Sequence, residues 1–301
     1  MLKKRLKWGA VPLLAAMLAT GCGKEANPPG IRILAENMER NGAKSLIDPT
    51  NPTCNSWVVG DKVKIEPGGE YEIVKEEDEN GDSCFYIAYF TPHCDFAAAY
   101  PASAEVEMNL DHVFFKNGSF GQNSIYDDGT VDVKFPMVAH GQMGAGDLEF
   151  KHVTGALVVT MENTSDSNFV LYSVELRAFK NGVEYALYPV LPEESLICYP
   201  EGRDNLVVEC DGTSNSWTYY MEDYEGNSPA SGIPVIAPGE TLRVYLPVPP
   251  TEDTDFRLVL HRASRWGAGW ADMGHNYCNR RITGVTVQRN HMLYLPTVQV
   301  Q

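Results

Sequence analysis

The sequence predicts an all-β protein built from sandwiches. Three observations carry that prediction. Short segments alternate apolar and polar residues with the period of two that a half-buried strand requires. Turn dipeptides recur between them, at Asn80-Gly81, Asn117-Gly118, Asn181-Gly182 and Pro238-Gly239. The segments are rich in tyrosine, valine and phenylalanine, while sustained helical periodicity is scarce.

In chain order the predicted strands begin with Ile33 to Met38, which suits a strand better than the short helix it could also form. Lys62-Val63-Lys64-Ile65 alternates cleanly, and Tyr71-Glu72-Ile73-Val74 follows a Gly68-Gly69 turn. Phe85 to Phe90 is the next segment, and Val131 to Phe135 follows Asp128-Gly129. Then come Gly155 to Met161, Phe169 to Phe179, Leu206 to Val208, Leu242 to Leu246, Phe256 to Leu260 and Ile282 to Val287. The glycine-rich stretch Gly141-Gln142-Met143-Gly144-Ala145-Gly146 reads as a linker, giving sandwiches over 31–145 and 146–301. Pro189 to Pro192 is the alternative boundary.

The N-terminus has its own grammar. Lys3, Lys4, Arg5 and Lys7 precede an apolar run from Val11 to Leu18, and Leu18-Ala19-Thr20-Gly21-Cys22 closes the segment. That order is a secretory signal, and the run is too short for a bilayer of about 20 residues. The cysteine makes it resemble a bacterial lipoprotein signal over residues 1–21, in which Cys22 is acylated and becomes the first mature residue. Leu18 lies four residues before the cysteine, where the commonest pattern has three. Residues 22–30 are polar, with Pro28-Pro29, and read as a flexible tether.

The chain has 301 residues and a formal charge of −16. Loss of the four basic signal residues takes the mature chain to −20. Such a chain repels phosphate backbones and anionic membranes alike, so nucleic acid is excluded as a partner and only lipid would hold it to a membrane. With Cys22 set aside, Cys54, Cys84, Cys94, Cys198, Cys210 and Cys278 remain, an even set that an exported chain could oxidise. Cys198 and Cys210 flank a turn at Glu201 to Asn205 and are the expected pair.

No constellation points to catalysis. Zinc spacing of the CxxC or HxxxH kind is absent, so no metal is expected. Asp78-Glu79-Asn80-Gly81-Asp82 has glycine fourth and Tyr89 twelfth, which breaks the calcium-loop pattern. The histidines are scattered, and no G-x-S-x-G elbow occurs. The expectation is a non-enzyme without cofactors. Arg265-Trp266-Gly267-Ala268-Gly269-Trp270 stands apart: two tryptophans in a glycine-rich, loop-like segment. Trp266 and Trp270 could stack on sugar faces or anchor a partner, or plug the end of a sandwich.

Several of these segments resemble fimbrillin-like lipoproteins of the type V pilin class from Bacteroidales. Ser56-Trp57-Val58-Val59-Gly60-Asp61-Lys62-Val63 looks like their W-x-x-G-D-K-V, and Phe96-Ala97-Ala98-Ala99-Tyr100-Pro101-Ala102 resembles their Y-x-A-Y-Y-P-A. Leu148 to Leu157 is similar to their L-x-F-x-H-x-x-A-x-L, with Gly155-Ala156 as the small pair. Ile236-Ala237-Pro238-Gly239-Glu240 and the closing Arg289 to Tyr294 also fit. The resemblance implies two transthyretin-like β-sandwiches and a lipid-anchored outer-membrane precursor bearing palmitate. It also implies assembly into surface fimbriae with other subunits by strand exchange. In that scheme a protease cuts after a basic residue past the first strand, here Ile31 to Ala35. The residues concerned would be Arg40, whose Asn41-Gly42 neighbours suggest an accessible loop, or Lys44. If the strand Leu293 to Val300 belongs to the second sandwich, nothing remains to donate, which favours a tip or anchor subunit over a shaft. The alternative function is a surface lipoprotein that binds glycan, from the host or a bacterium, through Trp266 and Trp270.

Overall fold

A computed structural model describes residues 30–35, 39–41, 57, 59–77, 83–102, 106–116, 126–127, 135–143, 146–188, 195–201, 205–221, 234–266 and 269–301. The chain is all-β, with no helix among the described residues. In order the strands are β1 (Ile31–Ala35), β2 (Glu39–Asn41), β3 (Lys62–Glu66), β4 (Gly69–Glu77), β5 (Ser83–Ile87), β6 (Phe96–Tyr100), β7 (Val106–Met108), β8 (Val113–Lys116), β9 (Tyr126–Asp127), β10 (Met137–Gly141) and β11 (Leu148–His152). There follow β12 (Gly155–Asn163), β13 (Phe169–Lys180), β14 (Val183–Glu184), β15 (Ser195–Glu201), β16 (Asn205–Asp211), β17 (Ser216–Tyr220), β18 (Val235–Ile236), β19 (Thr241–Val248), β20 (Thr251–Trp266), β21 (Gly269–Val287), β22 (His291–Tyr294) and β23 (Val298–Val300).

The N-terminal strands close into a barrel in the order β1-β11-β10-β6-β3-β4-β5, where the sequence had suggested a sandwich of two sheets. Closure removes exposed sheet edges. Alternation sends one residue in two inward: Val63, Ile65 and Ile73 are fully buried, as are Ile87 and Phe150. Trp57 packs edge-on against Tyr100 at 4.9 Å and Phe150 at 5.1 Å, filling the same core. The Tyr100 hydroxyl donates to Asp61 Oδ2 at 2.6 Å. The Trp and Asp of the first family-like motif thus meet the Tyr of the second, and both motifs specify barrel packing.

The later strands form two facing sheets. One runs β2-β22-β12-β19-β9, with β23 also on β12, and the other runs β14-β13-β20-β21, with β17 and β18 on β13. Leu157, Val159, Val244 and Leu246 of the first pack with Leu176, Phe256, Leu258 and Leu260 of the second, all fully buried. A smaller sheet, β16-β15-β8-β7, adds Val106, Phe115 and Cys198 to that core.

β11 pairs with β10 and β1 inside the barrel, so the glycine-rich stretch falls in sequence between two strands of the barrel. The passage between the barrel and the facing sheets falls at Val153-Thr154, between β11 and β12. Strands β2, β7, β8 and β9, although N-terminal in sequence, pair with strands of the later half or with one another.

Asn163 shows how a buried polar group ties the second half together. Its Nδ2 donates to the carbonyls of Ser167 and Ile236, each at 2.7 Å. Its Oδ1 accepts from Ser165 N at 3.0 Å and Ser165 Oγ at 2.8 Å. Asn163→Ala orphans two carbonyls, so it is expected to cost about 1–3 kcal/mol, measured as a shift in the urea midpoint.

Candidate functional site

The seam at β1 is the feature with functional geometry. β1 runs parallel to β11 (Ile33↔Leu148, Leu34↔Glu149, Ala35↔Phe150) and antiparallel to β5 (Ile31↔Ile87, Arg32↔Tyr86, Ile33↔Phe85). It is the first described strand in sequence, yet it closes the barrel, because no other strand among the described residues joins β5 to β11. Ile31 and Ile33 point inward at 5% and 3% exposure, while Leu34 is 40% exposed. Arg32 reaches Asp147 across the surface at 3.9 Å, a contact of little energetic weight. A Cβ on Gly30 would come within 2.7 Å of the Ile87 carbonyl, so the strand enters the barrel at close quarters. Without β1, β5 and β11 would each present an unpaired main-chain edge above apolar depressions spaced two residues apart.

The predicted processing residues both follow this strand. Arg40 does not lie in a loop. Its main chain belongs to β2 in parallel register with β22, Arg40 opposite Met292, at the end of that sheet's strand order. The Asn41-Gly42 dipeptide that made Arg40 read as part of a loop was outweighed by a non-local partner about 250 residues away in sequence, which local turn chemistry cannot anticipate. Lys44, like Cys22, the residue expected to carry lipid, lies outside the described residues.

Trp266 and Trp270 lie at the tip of a long hairpin, not in a loop. β20 and β21 pair up to Trp266↔Gly269, with Arg265 opposite Trp270. The two tryptophans therefore stand on opposite strands, on either side of residues 267–268, which lie outside the described residues.

The expected bond between Cys198 and Cys210 is not formed. Register sets Cys198 opposite Val208 and Cys210 opposite Leu196, so the cysteines are diagonal neighbours, about 7–8 Å apart in a typical ladder and beyond easy bridging. The Cys210 thiol instead donates to the Leu187 carbonyl at 2.8 Å. Cys198 is fully buried, and burial pushes its thiol up, which favours the neutral thiol. Among the described residues no group of three or more potential ligands gathers as a metal site.

Sequence reasoning missed how the motif residues connect the halves. Arg289 Nη1 donates to the His152 carbonyl at 2.9 Å, and Asn290 N donates to the Thr154 carbonyl at 3.1 Å. These contacts pin the β21–β22 turn onto the passage from β11 to β12. Asn290 takes φ = 63°, a left-handed conformation that asparagine tolerates better than most residues.

No protein-family model matches the chain. No curated protein matches it either. Among solved structures it is similar to a candidate cell adhesion protein from Bacteroides ovatus, at 12% identity and TM-score 0.41 over 90% of this chain and 92% of that one. A candidate cell adhesion protein from Bacteroides fragilis gives 11% identity and TM-score 0.40, covering 90% and 93%. A fimbrial protein from Bacteroides ovatus gives 12% identity and TM-score 0.34, covering 90% of this chain and 50% of that one.

Proposed function

We propose that this chain is a non-enzymatic, cell-surface fimbrial subunit that assembles by exchange of the β1 strand. The observation that carries the reading is the place of β1: first among the described strands, yet the one that closes the barrel between β5 and β11. A strand so placed is removable by one cut downstream, and Arg40 and Lys44 supply basic residues there. Its loss leaves two edges and the sockets of Ile31 and Ile33, which a strand of alternating apolar residues from another subunit would fill. In this reading the chain is exported as a lipoprotein, held at the outer membrane by acyl chains on Cys22, and partnered by other fimbrial subunits.

The test is to insert a unique protease site between Asn41 and Ser45, cleave, and add a labelled peptide carrying Ile31 to Ala35. Cleaved protein is expected to release β1 and to take up the peptide or a second subunit, with size-exclusion chromatography showing association. Cleaved protein that neither takes up peptide nor associates would end the proposal. The second reading, a glycan-binding surface lipoprotein, draws on the hairpin that presents Trp266 and Trp270 on opposite strands at its tip. It requires that Trp266→Ala or Trp270→Ala abolish binding to a polysaccharide on an array.

A further inference from the structure

Three arginines stand in one row across β13, β20 and β21. Arg177 is opposite Arg257, and Arg257 is opposite Arg281. Like charges directly opposite one another destabilise a sheet, so each needs compensation. The outer two have it. Arg177 Nε and Nη2 donate to Glu175 at 2.7 Å and 3.2 Å, and Glu184 attracts the same guanidinium. Arg281 Nη2 donates to Asp255 Oδ2 at 2.6 Å, and the Gly284 N–H donates to Asp255 Oδ1 at 2.9 Å. The Arg281 guanidinium, followed by that N–H, holds the Asp255 carboxyl below the ordinary carboxylate range.

Arg257, in the centre, has no carboxylate among the described residues. Its Nε donates to the neutral Asn279 Oδ1 at 2.6 Å. That single contact fixes the guanidinium plane and leaves its terminal N–H groups without an acceptor among the described residues. They border a cavity of about 330 Å³ lined by Phe179, Gly182, Arg257, Asn279 and Arg281. The volume suits a small ligand. Asn181 and Gly182 both take positive φ, 52° and 76°, in the tight turn from β13 to β14. A Cβ on Gly182 would meet nothing within 4 Å, so one wall is low and open. Phe179, half-buried, adds an apolar surface to the lining of the same cavity.

We propose that this cavity binds the carboxylate of an acidic sugar residue, with Arg257 as the bidentate fork and Phe179 beneath the ring. A planar guanidinium with open terminal N–H groups matches a carboxylate. An aromatic wall in the same cavity matches the C–H face of a pyranose. Non-specific attraction does not explain such binding in a chain whose formal charge is −16. The local fork has to do it. The site takes no part in strand exchange, since β1 lies in the barrel.

The intact protein is titrated with glucuronate, its uncharged methyl ester, glucose and acetate, followed by ligand-observed NMR. Glucuronate is expected to bind saturably, and the ester and glucose about tenfold or more weakly. Arg257→Ala should lose glucuronate to the same degree. Arg257→Lys, which keeps the charge without the fork, should recover only a minor part. Asn279→Asp keeps Arg257 in place but gives it an internal carboxylate, and should also abolish binding, which separates the effect from misfolding. Phe179→Ala should erase the preference for glucuronate over acetate. Glucuronate binding unchanged in Arg257→Ala and Asn279→Asp would overturn the proposal. So would equal binding of acetate and glucuronate by the parent, or no saturable binding of any probe.

Discussion

Ile33→Asp is expected to unseat β1 and open the barrel. Ile33 is 3% exposed and is the residue of β1 that belongs to both ladders, opposite Phe85 on one side and Leu148 on the other. Truncating a buried isoleucine to alanine costs about 2–5 kcal/mol through lost transfer energy and the cavity left behind. An aspartate at the same place adds the desolvation of a charge with no described cation beside it, a penalty of several kcal/mol. Leu34→Asp is the matched control, one residue along the same strand and 40% exposed, with an expected effect within about 0.5 kcal/mol. Urea unfolding followed by intrinsic fluorescence, with dye binding to exposed apolar surface, separates the two. If Ile33→Asp is as stable as Leu34→Asp, the inward face of β1 contributes nothing and its loss would open no groove. If the barrel opens, the variant should also take up an Ile31–Ala35 peptide without any protease cut, linking packing directly to assembly.

Gly155→Val is expected to disrupt the second half of the molecule. A Cβ there would come within 2.3 Å of the Gln288 carbonyl oxygen, 2.6 Å of Val287 Cγ1 and 3.1 Å of the His291 carbonyl oxygen. Two of these are backbone oxygens, one in the β21–β22 turn and one at the start of β22, and the turn is also held by Asn290 N on the Thr154 carbonyl. They cannot move without breaking the parallel ladder that begins at Ala156↔Met292. Overpacking typically costs about 1–3 kcal/mol where side chains can adjust, and backbone contact places this site at or above the top of that range. Gly155→Ala should show a smaller loss of the same kind. Gly146→Ala, whose Cβ would meet nothing within 4 Å, should be near neutral. A thermal midpoint for Gly155→Val equal to that of Gly146→Ala would mean β12 is not held tightly to the β21–β22 turn at this contact. The small pair Gly155-Ala156 in the family-like motif is thus a packing requirement: the glycine admits a crossing turn, and Ala156 behind it is fully buried.

Much of the fold was legible because a strand with one wet face announces itself. Lys62 to Glu66 alternates exposed and buried residues in the structure as it alternates polar and apolar in sequence. Phe96 to Tyr100 does not alternate, because Ala97 and Ala99 face the core of the later half while Phe96, Ala98 and Tyr100 face the barrel. The strands of the long hairpin were foreseen only at Phe256 to Leu260 and Ile282 to Val287, where apolar residues dominate. Their charged and glycine-rich extensions, Thr251–Trp266 and Gly269–Val287, are held by cross-strand pairing that no local pattern encodes. That is why Trp266 and Trp270 read as a loop.

By itself, the amino-acid sequence determined the all-β class, many strand positions and the strong negative charge, since each follows from composition or from a period of two along the chain. Tertiary structure alone decided the closure of the barrel by β1, the assignment of β11 to that barrel, the diagonal offset of Cys198 from Cys210 and the alignment of Arg177, Arg257 and Arg281. All four depend on strand pairing or register, within one hairpin for the two cysteines and between segments distant in sequence for the others. A shift of one residue turns every side chain to the other face, and only the packing of the whole sheet selects among the registers that local alternation allows equally.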